Sequence, residues 1–264
     1  MERDVMLEYS ADMQHTFIKE ESLRLLAEHL SVYTYPGYPA LSERLVLSWL
    51  DETHDTAGRL VLPDGPWCVA DTPNKYRAGQ LPTEQEQAAF VAQGLKLDSA
   101  DRPLHPWAQD MLRNPQIGGV LNRGFYYNWG PNYTSDTVVH NMTNDTLLLI
   151  KRKDTGQWGL PGGFIDGNEG ADVAARREVT EETDVVLPES TPMQLIYKGP
   201  VGDPRSTLHA WPETNCFLMQ VTDSAPCQGK DDAFEAAWVP VQQALSSDMF
   251  GSHKMLIMQA LSER

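Results

Sequence analysis

Three carboxylates stand close together in one stretch of this chain. Residues 163–185 read GFIDGNEGADVAARREVTEETDV, and near the end come Glu178, Glu181 and Glu182. Residues 171–182 are mostly good helix formers without proline or glycine, which predicts a helix. Residues three and four apart share a helix face, so these three side chains project together. Like charges on one face repel unless something positive offsets them. A hard divalent cation bound through oxygen is the natural partner. Mg2+ in particular keeps several waters and bridges the phosphates of a substrate.

The elements that must hold this face in place can be read on either side. Residues 136–140 and 146–151 are expected strands, the second (TLLLIK) buried on both faces. Asp154-Thr155-Gly156 is a turn, and residues 158–160 lead into Pro161-Gly162-Gly163. Beyond the helix, residues 193–197, 209–221 and 236–240 are expected strands, and 241–246 and 253–262 helices. This order predicts helices on both faces of a mixed sheet, an α/β/α sandwich. The earlier part has another texture. Residues 12–30 place Phe17, Ile18, Leu23, Leu25, Leu26 and Leu30 at near-helical spacing, an amphipathic helix. Residues 33–39 (YTYPGYP) form a turn-rich aromatic loop. Residues 45–50 and 60–69 read as strands or buried segments, the latter interrupted at Pro63-Asp64-Gly65. Residues 83–95 are a helix capped by Thr83, with Glu86 three positions on. Residues 102–119, with three prolines, are expected to be irregular. We place a junction near residues 118–131, which gives a helical extension at 1–30, a smaller α+β domain at 31–130 and a catalytic domain at 131–264.

The spacing within 163–185 resembles the signature of the Nudix hydrolases, which cleave a diphosphate linked to another group. Gly163, Glu169, Arg177, Glu178, Val179, Glu181, Glu182 and Val185 match it. Asp184 stands where the signature has a second glycine, which ends the helix in a left-handed turn. Asp tolerates that conformation better than most residues, so a small stability cost is expected. The resemblance implies the Nudix fold, with Glu178 and Glu182 as metal ligands, Glu181 close by and Gly163 contributing backbone at the metal. It also implies that Arg177 pairs with Glu169 in support of the site.

A second segment narrows the substrate. Residues 197–213 (YKGPVGDPRSTLHAWPE) resemble the mitochondrial-type ADP-ribose pyrophosphatase family, whose domain also forms the ADP-ribose-binding C-terminus of a melastatin-type channel. Trp129-Gly130-Pro131-Asn132, Lys151 to Asp154 and Tyr35-Pro36-Gly37 agree with it. Carried over, Asp203 and Arg205 contact the ligand. A guanidinium suits phosphate oxygens and a carboxylate suits a ribose hydroxyl. Phe250 and His253 fall where that family sets an aromatic and a histidine beside the adenine and its ribose, although core packing and helix capping are open readings for this stretch. The general base is expected outside the signature, with Glu213 first and Asp231, Asp232 and Glu235 as alternatives. The implied reaction is hydrolysis of ADP-ribose to AMP and ribose 5-phosphate with Mg2+ or Mn2+. A pyrophosphatase for NADH, FAD or a diadenosine polyphosphate, or a non-catalytic ADP-ribose sensor, are the competing readings.

Composition bounds the partners. Among 264 residues, 37 acidic and 21 basic side chains give a formal charge of −16, which argues against binding a nucleic-acid backbone. A bound cation and a few arginines can still accommodate a small anionic ligand. No apolar run is long enough to span a membrane, and the first residues lack the pattern of a signal peptide. Three cysteines without metal spacing suggest free thiols and a reducing compartment, so a cytoplasmic protein, monomeric or homodimeric, is expected.

Overall fold

The computed structural model describes residues 16, 19–28, 30, 35–71 and 79–262. The chain forms two compact units. One comprises Met1–Asn132 with Pro200–Pro212, the other Tyr133–Gly199 with Glu213–Arg264. No helix among the described residues is long and apolar enough to cross a membrane.

In the first unit residues 19–28 are helical, and the start of the helix expected at 12–30 lies outside the described residues. A short hairpin of β1 (Thr53–His54) and β2 (Leu60–Val61) follows, then helices α1 (Glu84–Ala92) and α2 (Ala108–Arg113). The cap at α1 is reciprocal. Thr83 accepts from the Glu86 N–H at 3.3 Å, and Glu86 accepts from the Thr83 N–H at 2.8 Å, so orphan donors at the helix start are satisfied. Two expectations fail here. Residues 45–50 are not a strand: Leu45 alone bridges to Gly119, while Trp49 and Leu50 are 73% and 95% exposed. Their apolar run has no period of two to bury one face. The stretch 102–119 is not wholly irregular, because Pro106 and Pro115 flank α2 rather than interrupt it.

The core of this unit joins Leu26, Leu45, Leu60, Met111, Leu112 and Leu208. Beside it lies a buried polar network. Asp98 accepts from the N–H groups of Ala100 and Arg102, both at 2.9 Å, and from Arg102 Nε at 2.8 Å. His209 Nε2 stands 3.2 Å from the same carboxylate, and His209 Nδ1 accepts from the Asn122 N–H at 3.0 Å. That bond puts the ring proton on Nε2, facing Asp98. Burial pulls His209 down to about 4. Burial alone would raise Asp98, but His209 and Arg102 more than reverse this and hold it at about 2.

The second unit is built on a seven-stranded sheet of β3 (Gly130–Asn141), β4 (Thr146–Arg152), β5 (Trp158–Gly159), β6 (Gly162–Phe164), β7 (Met193–Pro200), β8 (Ala210–Val221) and β9 (Ala233–Pro240). Their order is β5-β4-β3-β8-β7, with β6 on β3 and β9 on β4. Three helices, α3 (Ala171–Thr183), α4 (Val241–Ser246) and α5 (His253–Ser262), complete an α/β fold. In β4, Leu147, Leu148, Leu149 and Ile150 are all buried, as expected of an apolar strand covered on both faces. Val179 of α3 packs with Val139, Leu148 and Val185, which fixes the helix against the sheet. β6 was not among the expected strands, since glycine is depleted in strands. It pairs antiparallel with β3, Gly162 opposite Asp136 and Gly163 opposite Ser135.

Helix α3 ends as the sequence suggested. Asp184 sits at φ 61° and ψ 10° and donates its N–H to the Thr180 carbonyl at 2.9 Å. Its carboxylate accepts from Lys230 Nζ at 2.7 Å, a half-exposed pair that contributes little.

Two outcomes follow. Asp184→Ala should cost about 1 kcal/mol of stability in urea unfolding, because Ala lacks the local polar contact that eases a left-handed residue, whereas Asp184→Gly should not. Equal losses in both variants would refute the strain argument. Secondly, His209 in the folded chain resists protonation down to about 4, while the unfolded chain takes up the proton near its ordinary value of 6.5. The unfolded state therefore binds more protons in that window, and the stability of the first unit should fall as pH drops through it. Urea midpoints measured across the window should show a smaller slope in His209→Asn; an unchanged slope would contradict the assignment.

Candidate active site

The glutamate helix faces the glycine strand of the same unit. Glu182 is 3% exposed, and its Oε2 accepts the Gly162 N–H at 2.9 Å. Glu178, 8% exposed, lies along Gly163, where an added Cβ would stand 2.3 Å from Glu178 Oε1. A Cβ on Gly162 would come within 2.4 Å of Asp136 Oδ1. Any side chain at either glycine would drive the backbone away from these carboxylates, so the two glycines permit the close approach.

Burial raises both acids. It pushes the Glu182 carboxyl up to about 8, the Gly162 bond opposing and the charge of Glu178 adding. Burial raises Glu178 too, with Arg177 opposing. Such a pair holds a proton at neutral pH unless a cation compensates it. The donors are hard carboxylate oxygens, which suit Mg2+ or Mn2+. Among the described residues no three His, Cys, Asp or Glu side chains gather closely enough to hold a metal by themselves. Two glutamates fit an ion that takes its remaining oxygens from water and phosphate.

The repulsion on the helix face is relieved partly by protein. Arg177 Nη1 donates to Glu178 Oε1 at 2.8 Å and to Glu181 Oε2 at 2.9 Å. Its Nη2 donates to Glu169 Oε1 at 2.6 Å and to the Phe164 carbonyl at 2.9 Å. The expectation that a metal must offset all three acids is thereby corrected: Arg177 serves two of them, leaving Glu182 as the member it does not reach. Glu181 turns outward with its side chain 47% exposed. Hydrogen bonding from Arg177 holds Glu169 below its ordinary value.

The other anticipated residues are spread more widely. The charge of Asp232 reaches Glu182, and the Asp232 carbonyl accepts the Lys153 N–H at 3.1 Å. Asp231, at φ 45°, accepts Lys153 Nζ through its carbonyl, and Glu235 lies on β9 opposite Lys151. Glu213 acts instead on the hydroxyls of Tyr133 and Tyr197, which burial raises and its charge raises further. Phe250 is 1% exposed, with the Arg152 guanidinium 4.1 Å above its ring, so stacking on a base would require Arg152 to leave that face. His253 Nδ1 accepts the Leu160 N–H at 2.8 Å. Asp203 and Arg205 belong to the other unit, where they bind each other: Arg205 Nη2 to Asp203 Oδ2 at 2.6 Å and Nε to Oδ1 at 2.9 Å.

One residue of this site escaped the sequence reading. Asp136, 7% exposed, lies against Gly162, accepts from the Thr214 hydroxyl and adds charge beside Glu178. An acid in the expected strand 136–140, two positions before the apolar pair Val138-Val139, was the available signal, since a buried carboxylate is costly without a task or a partner.

The family model of the NUDIX domain matches residues 133–259. A Caenorhabditis elegans protein described as nudix hydrolase 6 is 30% identical over 171 residues, covering 59% of this chain and 62% of the relative. The mitochondrial ADP-ribose pyrophosphatase of Rattus norvegicus is 28% identical over 190 residues, covering 58% of this chain and 54% of the relative. A transient receptor potential cation channel, subfamily M member-like 2, of Nematostella vectensis is 27% identical over 172 residues, 53% of this chain and 11% of the channel. The chain thus spans little more than half the length of the first two. The matched segment coincides with the sheet, the glycine strand and the glutamate helix, so residues 133–259 carry a Nudix domain.

Proposed function

We propose that the chain hydrolyses the diphosphate of ADP-ribose to AMP and ribose 5-phosphate. The observation that carries the reading is the buried Glu178–Glu182 pair against the Gly162–Gly163 backbone. Glu178 and Glu182 would hold Mg2+, which when bound neutralises diphosphate charge and makes a bound water more acidic. The protein's own part is positional. Arg177 fixes Glu178 and ties the helix to Glu169 and the Phe164 carbonyl. The Gly162 amide fixes Glu182. Glu213 remains the first candidate for the general base, with Asp231, Asp232 and Glu235 as alternatives.

ADP-ribose as substrate is supported by the DPR segment and by the pyrophosphatase relative. Asp203 holds Arg205 at Nε and Nη2, which fixes the orientation of its guanidinium. Similarity to the channel keeps a non-catalytic ADP-ribose sensor as the second reading. We further assign the chemistry to residues 131–264, and treat 31–130 as a separate domain, 1–30 as an extension and the protein as cytoplasmic.

Glu182→Gln keeps the length of the side chain and an acceptor for Gly162 but removes the charge. Turnover of ADP-ribose with Mg2+ should fall at least about 100-fold, with ligand binding by calorimetry retained. Undiminished turnover would sink the metal assignment, and binding without turnover in the wild type would favour the sensor. Arg205→Lys should raise KM about tenfold with kcat kept, because an ammonium cannot reproduce the two-pronged bond. An unchanged KM would remove Arg205 from the ligand site.

A further inference from the structure

His253 was expected at the ligand because of the family resemblance, yet its bonds in this chain lead elsewhere. It is the first residue of α5, and the side chain is 14% exposed. Its Nδ1 accepts the Leu160 N–H at 2.8 Å, which leaves the ring proton on Nε2. Nε2 faces Asp136 Oδ1 at 3.9 Å, and Asp136 is anchored by the Thr214 hydroxyl. The ring also lies against Gly159, where a Cβ would stand 3.1 Å from Nδ1.

Leu160 is two residues before Gly162, and Gly162 supplies the amide that holds Glu182. The turn between them is gripped at both ends. His253 holds it at Leu160, and the Pro161 carbonyl accepts the Thr137 N–H at 3.0 Å on β3. The same C-terminal segment clasps the preceding strand: the Phe250 N–H donates to the Trp158 carbonyl at 2.8 Å, and the Trp158 N–H to the Asp248 carbonyl at 3.1 Å. Because a Cβ on Gly162 would overlap Asp136, the backbone there has little room to move without misdirecting its N–H.

We infer that His253 is a positioning residue: through Leu160 it aims the Gly162 amide at Glu182. Both ring nitrogens are directed at the chain's own groups, the first at a backbone donor and the second toward a carboxylate. The kinetic part of the inference rests on the hydrolase reading, and the metal-binding part does not.

The test compares three variants of the full chain. Asn at this position can offer an oxygen near the place of Nδ1, whereas Gln reaches toward the place of Nε2 and Ala offers nothing. His253→Ala and His253→Gln should lose about 10- to 100-fold in kcat, the range for residues that support a metal ligand, with KM for ADP-ribose unchanged. His253→Asn should recover most of the loss. Mn2+ affinity, measured without substrate by electron paramagnetic resonance, should fall in Ala and Gln and return in Asn. Weakened Mn2+ binding in a chain that hydrolyses nothing would uphold the positioning role while the hydrolase reading failed. A raised KM in all three variants with wild-type kcat and Mn2+ affinity would overturn it, as would wild-type behaviour of His253→Ala in both assays. If the Ala variant does not fold, the Asn and Gln pair decides the question by the same criteria.

Discussion

A carboxylate taken out of water must be repaid, and Glu182 is repaid by one backbone amide. The Gly162 N–H donates to its side chain at 2.9 Å, and the Arg177 guanidinium that serves its neighbours does not extend to it. Burial outweighs that single bond, so the carboxyl is held near 8 rather than in the usual range. A buried acid in this state is poorly stabilised as an anion by the protein alone. Its environment favours either a proton or a cation, and a cation is what diphosphate chemistry needs.

The rest of the second unit follows from bringing that amide and that carboxyl together. β3 supplies the edge along which β6 runs, and the glycines of β6 let the sheet backbone approach α3 without intervening side chains. Ala174, Ala175 and Val179 seat the helix on the sheet, which sets the rotation that sends Glu178 and Glu182 inward and Glu181 outward. Arg177 lies on the flank of the same helix and fastens it to Glu169 and the Phe164 carbonyl, so the strand and helix cannot slide independently.

Much of this was legible in the chain because spacing on a helix is geometry. Three glutamates at offsets of three and four define a face wherever the helix sits, and a non-glycine residue at the signature's second glycine announced the left-handed turn found at Asp184. Strand β4 was equally legible from four consecutive buried apolar residues. What the chain concealed depends on tertiary approach. Gly162 and Gly163 carry no strand signal of their own and form a strand because β3 lies opposite. Asp136 looks like one acid within a strand and becomes a wall of the site, because Gly162 leaves room for it. The apolar run at 45–50 lacks the alternation that marks a half-buried strand, and most of it stays outside the core. Resemblance located the ligand-contact candidates Asp203 and Arg205, but only the folded chain shows that they are already bonded to one another.

The central claim is that Glu178 and Glu182, set against Gly162 and Gly163, exist to hold a cation at a diphosphate. A crystal structure with Mn2+ and a non-hydrolysable ADP-ribose analogue, using anomalous scattering to locate the metal, addresses it most directly. The account predicts manganese bonded to carboxylate oxygens of both glutamates and to oxygens of the diphosphate. Manganese bound elsewhere, with these two carboxyl groups free of it while the analogue occupies the protein, would contradict it.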